Sequence, residues 1–343
     1  MRLVVVGATG AVGSEIMRIL EQRDFPISDV VAVASPRSAG RRIPFRDAHL
    51  EVAALSAEVF KAGDLALFDV PDDVSDRWAP VAAERGAVVI DNSAAFRMDS
   101  QVPLVVPEIN PEVARQRPKS IIASPNCTTL AAVLPLAALH RKASLRRLIL
   151  ASYQAVSGAG RGGVDELWDQ TEIAAKEPDR VRDGLAREVL ENGSEFPQPI
   201  AMNVVPLCGS VREEGYTSEE LKLCRETRKI MAIEDLPVTA TCVRVPVMVG
   251  HGVAVHAEFE VPLSAEEATT ILRAAPGVEV IDAPEDGVVP TPLHAAGRDP
   301  CFVGRIRRDL FNPNGLEMFC IADNLRKGAA LNTVQIAELV LSE

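Results

Sequence analysis

The sequence predicts an α/β first part built on a parallel sheet, followed by an α+β second part. Three observations carry this reading. Up to about residue 145, short β runs alternate with helical patterns, which argues for a parallel sheet covered by helices on both faces. Beyond that point the β runs lengthen and alternate apolar with polar residues, as in a mixed or antiparallel sheet. The chain has 343 residues, and domains usually hold roughly 100–200, so two domains fit better than one or three.

The elements follow in order. Residues 3–6 are apolar throughout and read as a buried strand. Residues 11–23 carry helical periodicity in Val12, Ile16, Ile19 and Leu20, stopping before Pro26. Strands follow at 30–34, 65–68, 87–90 and 121–123, with a helix at 78–85. In the second part, strands are expected at 148–155, 238–249, 253–261, 301–307 and 316–322, and helices at 161–176, 218–232 and 264–274. The last segment, 325–341, is helical, with Ala329, Ala330, Val334, Ile336, Ala337 and Leu339. Periodicity does not say which part it packs on.

Composition narrows the function classes. Thirty-six basic and 48 acidic side chains leave a net charge of −12. That excludes a general nucleic-acid binder, which needs a basic face, and a protein of anionic membrane surfaces. It leaves room for an anionic small molecule, because a site's charge is local. No run reaches the roughly 18 apolar residues of a spanning helix, and the richest stretch, 121–139, is broken by Pro125, Asn126 and Pro135. The six cysteines, at 127, 208, 224, 242, 301 and 320, form no CxxC pair and point to a reducing, cytoplasmic setting. No metal-ligand spacing stands out.

Directly after the first strand comes Gly7-Ala8-Thr9-Gly10-Ala11-Val12-Gly13, opening a helix. Glycines here permit a tight turn and close backbone approach to a diphosphate, which sits at the positive end of the helix. The spacing is GxxGxxG rather than GxGxxG, so the position carries more than the motif: the alternative is a glycine-rich turn without a ligand. On the nucleotide reading the first part is Rossmann-like. The second strand ends at Ser35-Pro36-Arg37-Ser38, where an acid would favour NAD. An arginine between two serines suits a 2′-phosphate, so the choice tilts to NADP; a solvated surface turn is the other reading.

The segment Ser124-Pro125-Asn126-Cys127-Thr128-Thr129 places Cys127 at the start of a helical run. The helix dipole and the N–H groups there stabilise a thiolate. Those N–H groups, with the Asn126 amide, are expected to cradle an oxyanion as the thiol adds to a carbonyl. Pro135 inside this helix is expected to kink it. A thiol nucleophile wants a base, and only five histidines exist, at 49, 140, 251, 256 and 294. His251, between Gly250 and Gly252 at a strand end, is one candidate by position. Arg244 lies in an apolar strand and needs either a bound anion or a carboxylate partner. Thr217 and Glu220 form a capping box at the start of the 218–232 helix. Glu219 and Lys222 are then i,i+3 neighbours, by spacing alone an exposed ion pair.

Taken together these segments resemble the aspartate-β-semialdehyde dehydrogenase family. The resemblance rests on GATGAVG (7–13), SPRSAG (35–40), DNSAAFRM (91–98), VPEIN (106–110), SPNCTT (124–129), YQAVSGAG (153–160), EELK (219–222), VRVPVMVGH (243–251) and ADNLRKGAA (322–330), and runs the length of the chain. It implies NADPH-dependent reduction of β-aspartyl phosphate to aspartate semialdehyde, in the pathway to lysine, methionine and threonine. It implies Cys127 as nucleophile, His251 as acid/base and Gln154 as an orienting residue. Arg97, Asn126 and Lys222 match phosphate-site positions, Arg244 the carboxylate site and Glu219 the amino site. Gly7, Thr9, Gly10, Ala11, Val12, Gly13, Ser35, Arg37, Ser38, Ser157, Gly158 and Asn324 match cofactor positions. The family fold implies a cofactor domain of residues 1–126 completed by 324–343, a catalytic and dimerisation domain of 127–323, and a homodimer. Two rivals are an N-acetyl-γ-glutamyl-phosphate reductase and a catalytically silent dehydrogenase-like binding protein. The Glu219–Lys222 pair speaks against the first, and Cys127, His251 and Arg244 together against the second. The chain departs from the family pattern at Asp69-Val70-Pro71, where relatives often carry small residues near the cofactor, and at Gly252, where serine is common.

Overall fold

The computed structural model describes residues 1–342 and divides into two compact units. The first holds Met1–Leu130, Arg225–Glu234 and the chain from Leu325 onward; the second holds Ala131–Cys224 and Asp235–Asn324. The expected division did not assign residues 225–234 to the first unit.

The first unit is built on a sheet of β1 (Arg2–Val6), β2 (Asp29–Ala34), β5 (Ala53–Ala54), β6 (Leu65–Phe68), β7 (Val88–Asp91) and β8 (Ile121–Ala123). All neighbours pair in parallel, in the order β5-β2-β1-β6-β7-β8. The chain moves outward from β1 to β2, then returns to the other side of β1 to lay down β6. The order therefore reverses between β1 and β6, and the carboxyl ends of these two strands flank the crevice in which such sheets bind ligands. A small antiparallel hairpin, β3 (Arg42–Phe45) and β4 (Ala48–Glu51), precedes β5. Helices α1 (Ala11–Gln22) and α2 (Asp72–Glu84) are the crossovers. α2 begins six residues before the expected 78, because Pro71 stands at its N-cap and Asp72 and Asp73 fill its first turn.

The central strand β6 and residues 3–6 of β1 are buried on both faces, which explains their unbroken apolar sequence. Leu3, Val5, Leu65 and Leu67 share a core with Ile16 and Leu20 of α1. Each such side chain contributes roughly 1.5–3 kcal/mol when fully buried. The C-terminal helix α9 (Leu331–Leu341) adds Leu331, Val334, Ile336 and Ala337 to that same core, and so belongs to the first unit. A wide π-helical turn, Arg326–Ala330, leads into it. Lys327 within that turn is 1% exposed and is held by Glu108 at 2.8 Å.

The second unit holds a mixed sheet of β9 (Leu145–Gln154), β10 (Val238–Arg244), β11 (His251–Phe259), β12 (Val278–Val280), β13 (Cys301–Arg308) and β14 (Gly315–Ala322). Its order is β10-β9-β11-β14-β13-β12. The outer pairs are parallel and the inner ones antiparallel. α4 (Gly160–Lys176), the short α5 (Pro178–Arg182), α7 (Ala265–Arg273) and the short α8 (Pro292–Ala295) complete it. α3 (Cys127–Ala143) and α6 (Ser218–Met231) each run from one unit into the other.

α3 stays helical through Pro135. Proline removes the N–H that would bond the carbonyl of Ala131 four residues back. The Cys301 thiol donates to that carbonyl at 3.0 Å, so the orphan acceptor is satisfied from a neighbouring strand.

Candidate active site

The glycine turn lies at the carboxyl end of β1. Gly7 has φ +94°, which favours glycine, and a Cβ there would lie 1.9 Å from the Asp69 carbonyl oxygen. A Cβ at Gly13 would lie 2.1 Å from the Gly7 carbonyl, so Gly13 lets α1 seat closely on the turn. Gly10 is different: it is exposed, stands at the N-cap of α1 and makes no side-chain cap, and the first turn carries no acidic residue. Thr9 and Val12 are half-buried and Ala11 is exposed on the same turn. A helix N-terminus without an acidic residue in its first turn, at a sheet's switch point, fits a dinucleotide diphosphate. One group departs from this fit. The half-buried Asp69, the first residue after β6, brings its Oδ2 within 3.7 Å of where a Gly10 Cβ would stand.

After β2 the chain makes a one-turn helix, Pro36–Ser38, closed by the Ser38 N–H on the Ser35 carbonyl at 2.8 Å. Ser35 and Arg37 are exposed and Ser38 is half-buried. Among the described residues no carboxylate pairs with Arg37, which leaves its guanidinium available to a phosphate.

Cys127 is the first residue of α3 and is half-buried, whereas the other five cysteines are buried. Burial drives the Cys242 and Cys320 thiols upward, away from thiolate chemistry. Asn126 caps the helix. Its Oδ1 accepts from the Thr128 N–H at 2.9 Å and the Thr129 N–H at 3.3 Å. This corrects the expected oxyanion cradle: two of the first-turn N–H groups are committed to Asn126.

Behind Cys127 stands a residue that sequence reasoning missed. Glu226 is 1% exposed. Its Oε1 accepts from Arg97 Nη1 at 3.0 Å and its Oε2 from the Asn126 backbone N–H at 2.7 Å. One buried carboxylate thus ties together the two unit-one residues expected at the phosphate. Arg97 Nη2 also donates to the Asn92 carbonyl at 2.6 Å. Three residues on, Lys229 donates to the carbonyls of Arg97, Asp99 and Val102 at 2.7, 2.8 and 2.9 Å, pinning the loop that carries Arg97. A signal existed: 219, 222, 226 and 229 lie on one helical face, a polar stripe continuing past the EELK motif.

In the second unit, register assembles the remaining side chains. Arg244 ends β10 directly opposite Gln154, which ends β9. His251 opens β11 opposite Ala322, which ends β14 two residues before Asn324. Four neighbouring strands, and the residues just past β14, therefore bring Arg244, Gln154, His251 and Asn324 to one end of the sheet. The peptide of Ala155 anchors two of them: its carbonyl accepts from Arg244 Nη1 at 2.6 Å, and its N–H donates to His251 Nδ1 at 3.0 Å. With Nδ1 accepting, the ring proton of neutral His251 lies on Nε2. His251 is fully buried, and burial, with the Arg244 charge next, pushes its pKa down to about 3. The other histidines are exposed or half-buried.

Arg244 Nε and His251 Nε2 are both buried, and neither has a hydrogen-bond partner among the described residues. No carboxylate among the described residues pairs with Arg244; besides its bond to the Ala155 carbonyl, its guanidinium lies 5.7 Å from the centroid of the Phe196 ring. Gly158 backs onto the pair. A methyl there would come within 2.9 Å of both Arg244 Nη1 and His251 Nε2. Ser157 and Asn324, expected at the cofactor, are buried and bonded to each other, the Asn324 amide donating to Ser157 Oγ at 2.9 Å. Asn324 Oδ1 also accepts from the Gly250 N–H at 2.8 Å and so holds the turn that carries His251. Gln154 is 1% exposed, its Oε1 accepting from Ser152 Oγ at 3.0 Å.

The capping box forms as expected: the Thr217 N–H bonds Glu220 Oε2 at 2.7 Å and the Glu220 N–H bonds Thr217 Oγ1 at 3.3 Å. Glu219 and Lys222 pair at 2.7 Å, but the pair is partly buried, not exposed. Glu219 lies near enough to His251 to act on its ring. Elsewhere, His256, Asp309 and Glu317 bring potential ligand atoms within 4.8 Å of one another, and His256 already bonds Glu317 at 2.7 Å. Among the described residues no helix is long and apolar enough to cross a membrane.

The comparisons with known proteins agree with this geometry. Residues 2–117 match the family model of the semialdehyde dehydrogenase NAD binding domain, and residues 136–327 that of the semialdehyde dehydrogenase dimerisation domain. An aspartate-semialdehyde dehydrogenase of Streptomyces akiyoshiensis is 49% identical, covering 100% of this chain and 99% of its own length. One from Aquifex aeolicus is 46% identical over 100% of this chain and 98% of its own. The crystal structure of aspartate semialdehyde dehydrogenase II from Vibrio cholerae complexed with ASA superposes with a TM-score of 0.91 at 38% identity, covering 100% of this chain and 98% of that one. The chain that carries the switch-point glycine turn, the cysteine opening a helix and the buried arginine–histidine pair is related to these enzymes from end to end: it belongs to the semialdehyde dehydrogenase family.

Proposed function

We propose that this chain is an aspartate-semialdehyde dehydrogenase that reduces β-aspartyl phosphate with NADPH, releasing aspartate semialdehyde, phosphate and NADP. The observation that carries the reading is the Arg244–His251 pair: a buried guanidinium and a buried imidazole, each with a nitrogen lacking a protein partner, each anchored on Ala155. Such a pair is costly unless a substrate completes it.

The residues divide the work by chemistry. The Cys127 thiolate attacks the acyl carbon; the carbon–oxygen bond to phosphate breaks and a thioacyl enzyme forms. Bound NADPH supplies the hydride that reduces this thioester. His251, neutral with its proton on Nε2, shares that proton with the developing oxyanion and recovers it as the thiohemiacetal collapses to aldehyde and thiolate. Its depressed pKa keeps it a neutral donor throughout the physiological range. Arg244 takes the substrate carboxylate and Glu219 the ammonium. Gln154 orients the thioester. Arg97, Asn126 and Lys222 bind the departing phosphate, with Glu226 holding the first two in place. The glycine turn, Ser35, Arg37 and Ser38 hold NADP; Ser157 and Asn324 serve the cofactor side indirectly, by fixing the His251 turn, and Gly158 keeps space beside the pair. The dimerisation-domain match supports a homodimer.

The test runs the reaction in reverse, mixing protein, NADP, phosphate and aspartate semialdehyde and following NADPH absorbance. Phosphate-dependent NADPH formation is expected. Its absence overturns the proposal. Arg37→Ala should raise the Michaelis constant for NADP far more than that for NAD, and equal effects would reject NADP selection by this residue.

A further inference from the structure

The glycine turn carries one feature that a diphosphate site does not call for. β1 and β6 flank the switch point of the first unit's sheet. The Asp69 N–H bonds the Val6 carbonyl at 2.8 Å, which fixes the residue at the mouth of that crevice. From there the carboxyl group reaches towards Gly10, the N-cap residue of α1. It takes up the electropositive position that an anionic ligand would claim. A diphosphate arriving there brings further negative charge into the same space.

We propose that Asp69 makes dinucleotide binding proton-linked, a diphosphate settling on α1 only when the Asp69 carboxyl is protonated. This rests on the reading that the glycine turn holds the dinucleotide.

The surroundings favour a neutral Asp69. α1 contributes neither an acid nor a base in its first turn. β7 contributes Asp91, buried and held by Ser75 Oγ and Ser93 Oγ at 2.6 Å each, with the charge of Arg97 beyond it. α2 begins with Asp72 and Asp73. The positive end of α1, the Asn92 amide and the Gly13 N–H favour the carboxylate. Burial outweighs them, with Asp91 acting in the same direction, and the pKa of Asp69 rises to about 6. The sign follows. Below that value Asp69 is already neutral and binding is unopposed. Above it each dinucleotide must bring one proton, and affinity falls by up to about tenfold per pH unit.

Isothermal titration with ADP-ribose tests this on the whole chain. ADP-ribose carries the diphosphate but no phosphate monoester, a group that itself titrates near pH 6. Titrations at pH 6, 7 and 8, each in two buffers of different ionisation heat, read affinity and proton uptake together. In the wild type, affinity should fall across the range, with proton uptake approaching one per site at pH 8. In Asp69→Asn the fall and the uptake should vanish, and binding at pH 8 should be tighter than in the wild type. Asp69→Ser serves if the asparagine variant does not fold. Binding with a flat pH profile and buffer-independent heat in the wild type overturns the proposal, as does an unchanged slope in the variants. If neither ADP-ribose nor NADP binds at any pH, the nucleotide reading itself falls and takes this inference with it.

Discussion

Gly158 offers the sharpest handle on the arginine–histidine pair. Its φ is not in the left-handed region, so the backbone accepts alanine without strain. The added methyl would stand 2.9 Å from both Arg244 Nη1 and His251 Nε2, against an ordinary contact distance of 3.4 Å or more. Relief therefore requires a displacement of about 0.5 Å in two side chains that are almost wholly buried. Misplacing reacting groups by about 1 Å costs roughly 100-fold in rate, so half that distance implies a loss of about tenfold. The overpacking should cost ~1–3 kcal/mol of stability. The assay is kcat and KM for phosphate-dependent oxidation of aspartate semialdehyde by Gly158→Ala, beside a thermal melt. A folded variant with kcat within twofold of the wild type would refute the argument that proton transfer depends on this pair.

Other outcomes follow from the same geometry. Glu226→Gln weakens the grip on Arg97 and Asn126 and should raise KM for phosphate about tenfold, the equivalent of one charge-assisted hydrogen bond of ~1.4 kcal/mol, with a smaller change in KM for the semialdehyde; equal changes in both would assign Glu226 to folding alone. His251 has a folded-state pKa of about 3 against an ordinary 6.5, so its stabilisation is complete above about pH 6.5 and is lost as pH falls towards 3. Urea unfolding from pH 6 to pH 4 should show a slope shallower by about 1.4 kcal/mol per pH unit in His251→Asn, and an unchanged slope would contradict the neutral assignment. Cys301→Ala should cost ~1–3 kcal/mol by orphaning the Ala131 carbonyl, and less when combined with Pro135→Ala, which restores the missing N–H. Strict additivity of the two in a double-mutant cycle would reject that pairing.

The first unit was legible because its central strands are buried on both faces. Val4 and Val6 are as apolar as Leu3 and Val5, and the charged residues Arg2, Asp29 and Asp91 stand only at strand ends. The start of α2 shows no clear apolar periodicity because Asp72, Asp73 and Asp76 interrupt it, and Pro71 is the sequence mark of its start. The hairpin Arg42–Phe45 and Ala48–Glu51 was missed because its residues are mostly exposed, so neither strand shows a long apolar alternation. At the site, residue types were legible where a motif surrounds them, as with Cys127 and His251. What the sequence hides are relations of register and long-range pairing. Arg244 and Gln154 face each other only because β10 and β9 pair in parallel. Glu226 meets Asn126 across 100 residues of chain. Ala155 serves through its peptide group, and a backbone role leaves no mark on side-chain identity.

The most direct test of the account is the acyl group on Cys127. Protein mixed with NADP and aspartate semialdehyde, without phosphate, should release one NADPH per site and stop. Mass spectrometry of the acid-quenched protein should then find one aspartyl thioester, on the peptide that contains Cys127, and phosphate should discharge it. NADPH formation with no acyl group on Cys127, or with the acyl group on another cysteine, would contradict the account.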